Sequence, residues 1–193
     1  AFYTKFEKKL ENGFKEDLYP KIHKVGESGI FGTNWDGCTN YIRYEILKRL
    51  GYFVTESSEH FAEYTPWFIK NNQKNLIKQF NIPINEYIRR CEKQILDWED
   101  QEKVLLDNSQ LKYIKSMEYA SRIILSMVTG SKDLIYGNVL NQNFITNLPN
   151  NSCVEVPCII QKNEIIPQTV APLPMHLANL IQTNINVQQL TVE

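Results

Sequence analysis

Glycine is scarce, at eight of 193 residues, and its copies never gather into a phosphate-cradling turn. There is no Gly-x-Gly-x-x-Gly loop, no P-loop, no Gly-x-Ser-x-Gly elbow and no His-Glu-x-x-His pair, so any site built on those motifs lies outside these residues. Cysteine is equally uninformative as a framework. Cys38, Cys91, Cys153 and Cys158 form no Cys-x-x-Cys pair and no zinc spacing, and they read as free thiols in a reducing compartment. Neither sign of charge prevails: 21 basic and 22 acidic residues leave a net charge of -1, with no basic stripe, which argues against a nucleic-acid surface. No apolar run has the length of a membrane span, and the first residues carry no signal-peptide pattern. The expectation is a soluble, cytoplasmic protein.

What is present suffices for one α+β domain. With 42% hydrophobic residues the chain can build a core of ordinary size. Residues 2–9 alternate as a strand does, and the polar stretch 11–37 reads as a loop carrying a short helix near 18–24. Helices follow at 37–50, 72–80 and 85–107, the last with Tyr87, Ile88, Cys91, Ile95, Trp98, Val104 and Leu105 on one face and charges on the other. Ser116 is a plausible N-cap for a buried helix over 117–129, ended by Gly130. From Asp133 onward the chain reads as short strands in two hairpins, one turning at Asn141-Gln142-Asn143 and one at Lys162-Asn163-Glu164. A final helix begins at Met175 and runs to the last residues without a cap. Ala1 is not a methionine, and the chain reads as beginning mid-structure and ending mid-helix.

The stretch from Asn40 to Ile69 organises the rest. Ile42, Ile46, Leu47 and Leu50 recur at helical spacing and Gly51 supplies the stop. Beyond it Thr55, Glu56, Ser57, Ser58, Glu59, His60, Glu63 and Tyr64 form a row of hydrogen-bonding groups between apolar flanks. Such a row suits a polyhydroxylated ligand, because hydroxyls demand many paired donors and acceptors. A sugar is the first reading.

The run Ile42-Arg43-Tyr44-Glu45 leading into Gly51 through Tyr64 closely resembles the α-galactosidases of glycoside hydrolase family four, the melibiase type of bacteria. The likeness continues through Tyr119-Ala-Ser, Ile135-Tyr-Gly-Asn-Val, Asn147-Leu-Pro, Cys153-Val-Glu-Val and Thr183-Asn-Ile-Asn-Val, so it covers nearly the whole chain. It implies the C-terminal domain of a two-domain enzyme like lactate and malate dehydrogenases, with helices on a small mixed or antiparallel sheet. The NAD-binding Rossmann domain and the last helices are then absent from these 193 residues. It further implies an NAD- and Mn²⁺-dependent hydrolysis of α-galactosides such as melibiose, by oxidation at C3, removal of the C2 proton and elimination, in a homo-oligomer. The nucleotide loop and the metal-binding Cys and His of the family lie before Ala1, and no residue here is assigned as a metal ligand.

Within that resemblance Arg43 is the leading substrate-binding candidate, since a guanidinium fork can clasp hydroxyls or steady an enolate. The bland alternative is a helix-surface ion pair with Glu45. Some family members carry an Asp three residues before this Arg that could serve as the C2 base, whereas this chain has Asn40, which is no base near neutral pH. Asn40 and Tyr44 are carried as catalytic candidates, with Asp36 and Tyr41 as substitutes. Glu56, Ser57, Ser58 and His60 are candidates for lining the sugar, or else a buried polar turn that fixes the loop. Two other readings stay open: a related enzyme cleaving α-glucosides, phosphorylated disaccharides or galacturonides, and a non-catalytic assembly module.

Overall fold

The computed structural model describes residues 2–5, 7–9, 15–29, 39–107 and 118–192. Their contacts divide into two units, one of residues 1–82 with 119–193 and one of residues 83–118. In the first unit a short antiparallel ladder, β1 (Glu7–Lys9) with β2 (Lys15–Asp17), precedes helices α1 (Tyr19–Ser28), α2 (Tyr41–Leu50), α3 (Ser58–Tyr64) and α4 (Lys74–Gln79). After the second unit come α6 (Ala120–Thr129), β3 (Asp133–Leu140), β4 (Cys153–Gln161), β5 (Glu164–Pro167) and α7 (Met175–Val192). The second unit contains α5 (Glu86–Leu106). This is the α+β architecture expected.

The strands β3, β4 and β5 form an antiparallel sheet in that order. Alternation fixes its faces: Val154, Val156, Cys158 and Ile160 of β4 are buried, beside Ile135 of β3. Gly137 sits opposite Val156, where an added Cβ would come 3.2 Å from the Cys158 Sγ, so a larger residue there would press the Cys158 side chain aside by a few tenths of an ångström. Ile123 and Met127 of α6 and Ala178, Ile181 and Ile185 of α7 complete this core. A second core gathers Ile42 and Ile46 of α2, Val54, Phe61 and Ala62, Phe68 and Ile82, and Leu180 of α7 packs against it. His176 Nε2 lies 3.1 Å from the Leu50 carbonyl, tying the start of α7 to the end of α2.

Several sequence expectations need correction, the burial of α6 among them, since Ile124, Leu125 and Val128 are exposed. The row after Gly51 is not all loop. Ser58–Tyr64 is a helix, which apolar periodicity hides because Ser58, Glu59, His60 and Glu63, four of its seven residues, are polar. The first hairpin does not turn at Asn141–Asn143: β3 pairs with β4 from Leu140↔Cys153, and residues 141–152 form a looped connection. Asn141 holds that connection, since its side chain binds backbone groups of Ile145 and Leu148 within it. The short helix expected near 18–24 extends to Ser28, and β4 runs unbroken through Pro157. Asn163, with φ 57°, turns the second hairpin where expected. Ser116, Asp36 and Cys38 lie outside the described residues. Cys91, Cys153 and Cys158 are free thiols.

Candidate functional site

Gly51 ends α2 in the left-handed region, φ 77°, with its N–H donating to the Leu47 carbonyl at 2.8 Å. The chain therefore reverses, and Val54 comes back alongside the first turn of the helix. There Arg43 is held by three donors. Its Nε and Nη2 both donate to the Val54 carbonyl, at 3.1 and 2.8 Å, and Nη1 donates to Asn40 Oδ1 at 3.2 Å. The guanidinium carbon lies 4.3 Å from the Phe53 ring centroid, a cation–π contact. A guanidinium has five N–H donors, so each terminal nitrogen keeps one hydrogen for something else.

The ion pair with Glu45 does not form, because Glu45 turns to Arg49, with Oε1 2.6 Å from its Nε. Burial pulls the Arg43 pKa below its ordinary value, while the phenols of Tyr3 and Tyr44 and the Glu56 carboxylate push it back up. Those groups lie within electrostatic reach of the guanidinium.

Tyr3 is placed there by a staple across the sequence. Phe2 bridges Val54, Tyr3 N–H donates to the Phe53 carbonyl at 2.9 Å, and the Tyr19 hydroxyl accepts from Phe53 N–H while donating to the Tyr3 carbonyl. Burial raises the Tyr3 pKa, Arg43 lowers it, and Glu155, Tyr136 and Tyr119 raise it again. Tyr136 and Glu155 stand on the face of the β3–β4 sheet opposite the core, and Tyr119 begins α6. Arg122 stacks on Tyr119 at 5.4 Å and is locked to Asp133 by an ion pair. The site is thus a cluster of phenols, one anchored guanidinium and flanking carboxylates.

The remaining candidates divide by what they touch. Asn40 orients Arg43. Tyr44 packs its ring 5.2 Å from Phe53 and beside Gly26, and burial raises its pKa. Tyr41 is more open, at 38% exposed. Ser57 is the N-cap of α3, its Oγ accepting from His60 N–H at 3.2 Å, and buried Ser58 accepts from Arg43 N–H at 3.4 Å. Both hydroxyls serve backbone groups. Glu56 is half-buried within electrostatic reach of Arg43. His60 Nδ1 sits 2.9 Å from Glu63 Oε2. Tyr3, Tyr119, Tyr136 and Glu155 were not singled out from the sequence, although three of them stand inside the Tyr119-Ala-Ser, Ile135-Tyr-Gly and Cys153-Val-Glu stretches that carry the resemblance.

The His60–Glu63 contact gives a direct prediction. The hydrogen bond to Glu63 raises the His60 pKa above 6.5, against a smaller lowering by burial. A raised histidine pKa stabilises the fold fully below the unfolded value, and that contribution is lost as pH rises through the folded value. In an NMR titration His60 will show a midpoint above 6.5, and Glu63→Gln will lower it. An unchanged midpoint in the variant would remove Glu63 as the cause.

Among the described residues no group of three or more His, Cys, Asp or Glu could hold a metal ion. Nor is any helix among them long and apolar enough to cross a membrane. The family 4 glycosyl hydrolase C-terminal domain matches residues 1–193. An α-galactosidase of Bacillus subtilis is 44% identical over 177 residues, covering 92% of this chain and 40% of that protein. One from Rhizobium meliloti is 27% identical over 162 residues, covering 78% of this chain and 32% of its own length. The chain thus spans two-fifths or less of these relatives. A crystal structure of the glucosidase-like LplD of Bacillus subtilis shares the fold with a TM-score of 0.75 at 20% identity, over 90% of this chain and 42% of its own. A 6-phospho-α-glucosidase from gut microorganisms, solved with NAD and Mn²⁺, gives 0.55 at 16% identity, over 89% and 40%.

Proposed function

The chain belongs to the family 4 glycosyl hydrolases as their C-terminal domain, and from that premise we propose that it forms part of an NAD- and Mn²⁺-dependent α-galactosidase. The observation that carries this is Arg43, fixed by Val54 and Asn40 with a hydrogen left on each terminal nitrogen, in a sequence 44% identical to an α-galactosidase. Fixed donors of that kind, ringed by phenols, suit the hydroxyls of a neutral sugar. Glu56 and Glu155, which act electrostatically on Arg43 and Tyr3, are acidic and oppose a phosphorylated substrate. The maltose-6'-phosphate glucosidase of Bacillus subtilis, 33% identical over 91 residues, represents that rival reading.

In this reading NAD and the metal ion are held mainly by a further part of a longer protein. The implied route is oxidation at C3, loss of the C2 proton and elimination of the aglycone, with the hydride and metal chemistry supplied from there. This chain contributes Arg43, which orients hydroxyls and stabilises negative oxygen. Tyr41 and Tyr44 are the described groups on the same helix turn able to exchange a proton. Asn40 serves by holding Arg43. Three free thiols agree with a cytoplasmic setting.

Two measurements test this. The full-length protein will hydrolyse a nitrophenyl α-galactoside but not its 6-phosphorylated counterpart, and the 193-residue chain alone will hydrolyse neither. In D₂O the galactose released will carry deuterium at C2. A preference for the phosphorylated sugar would overturn the substrate reading. Deuterium-free galactose would overturn the route.

A further inference from the structure

Beside the Arg43 site one aromatic ring stands in the open. Helix α3 buries Ser58, Phe61 and Ala62 and turns His60, Glu63 and Tyr64 outward on its other face. Ser58 Oγ accepts from Arg43 N–H at 3.4 Å, so the helix starts against the turn that carries the anchored guanidinium. Tyr64 follows six residues later, about 9 Å further along the axis. Glu56 links the two places, because its carboxylate is within electrostatic reach of both Arg43 and His60.

The outward groups are held in place before any ligand arrives. Glu63 Oε2 accepts from His60 Nδ1 at 2.9 Å, which leaves Nε2 as the ring nitrogen for another partner. The Tyr64 ring lies beside that imidazole, centroids 6.4 Å apart, and the residue is 59% exposed. A ring flanked by oriented hydrogen-bonding groups suits a pyranose, whose C–H face stacks on the aromatic while its hydroxyls need donors and acceptors at the rim. The charge selects a neutral sugar. Glu56, Glu59 and Glu63 all act on the imidazole, and three carboxylates so placed repel a phosphorylated one.

We propose that His60, Glu63 and Tyr64 form the subsite for the leaving-group sugar of an α-galactosyl disaccharide, one ring beyond the galactose at Arg43. This subsite presupposes the α-galactosidase activity proposed above, and it adds what is recognised on the far side of the scissile bond.

Two galactosides separate the subsite from the galactose site in the full-length protein: melibiose, and methyl α-galactoside, whose aglycone is too small to reach Tyr64. Tyr64→Ala will lower the ratio of kcat/KM for melibiose to that for the methyl glycoside about tenfold, mainly through KM, the usual discrimination carried by one contact in a pocket. Both substrates meet the same folded enzyme, so the ratio does not depend on how much of the variant folds. Tyr64→Phe, which keeps the ring, will hold the ratio. An unchanged ratio in Tyr64→Ala would overturn the subsite, and an equal fall in Tyr64→Phe would overturn the stacked ring. If the unmodified enzyme cleaves neither galactoside, the α-galactosidase activity itself fails and the subsite with it.

Discussion

Arg43→Lys in the full-length enzyme lowers kcat and kcat/KM together by about a hundredfold, the usual cost of losing a fixed donor from a reacting oxygen. The reason lies in how the guanidinium is used. Its Nε and Nη2 grip the Val54 carbonyl and Nη1 grips Asn40, so the plane of the group is set before substrate arrives. A lysine ammonium can reach one of those partners, but it has no planar fork to keep the remaining donors aimed. KM should change little, because the contact strengthens mainly as negative charge develops on the sugar oxygen. Steady-state kinetics decide the matter. If kcat is unchanged while thermal stability falls, Arg43 is only a strut between α2 and the Val54 turn.

Asn141→Ala unfolds the protein more easily by about 3 kcal/mol. Asn141 is 0% exposed. Its Nδ2 donates to the carbonyls of Ile145, Leu148 and Pro149, at 3.0, 2.9 and 3.1 Å, and its Oδ1 accepts from Ile145 N–H at 2.8 Å. Without the amide, two of these carbonyls keep other partners: Leu148 N–H donates to Ile145, and Ser152 donates to Pro149 through its N–H and its Oγ. The Ile145 N–H and the Leu148 carbonyl are left buried and unserved, at about 1–3 kcal/mol each. In a chain of this size 1 kcal/mol moves Tm by roughly 2–4 °C, so a fall of roughly 10 °C is expected in thermal unfolding. A loss below about 1 kcal/mol would show that the 141–152 connection relaxes onto other donors.

Where the sequence is legible, it is legible for local reasons. The stop at Gly51, the alternation of β4 and the amphipathic face of α5 all depend on neighbours within a few residues, which periodicity and a single turn residue encode. The three-residue spacing from Asn40 to Arg43 is likewise local, and a hydrogen bond joins the two side chains. The helix Ser58–Tyr64 was missed because a single turn or two of polar residues has too little apolar period to outweigh a loop reading. Its readable signal was Ser57, a good N-cap just ahead of Phe61-Ala62. The hairpin expected at Asn141 failed because an asparagine that looks like a turn residue is here a buried clamp, and its partners lie four to eight residues downstream.

By itself, then, the sequence determined most of the helices, the alternation of β4, the family, and Arg43 as the residue to watch. Tertiary structure alone decided what surrounds it. Tyr3 comes within electrostatic reach of Arg43 through a staple joining residues 34 apart, Tyr19 and Phe53, while Tyr136 and Glu155 come from a sheet formed a hundred residues further on. No spacing rule links such positions. They meet because α2, the Val54 return and the open face of β3 and β4 are each packed on their own core, and packing, unlike periodicity, leaves no mark on the order of residues.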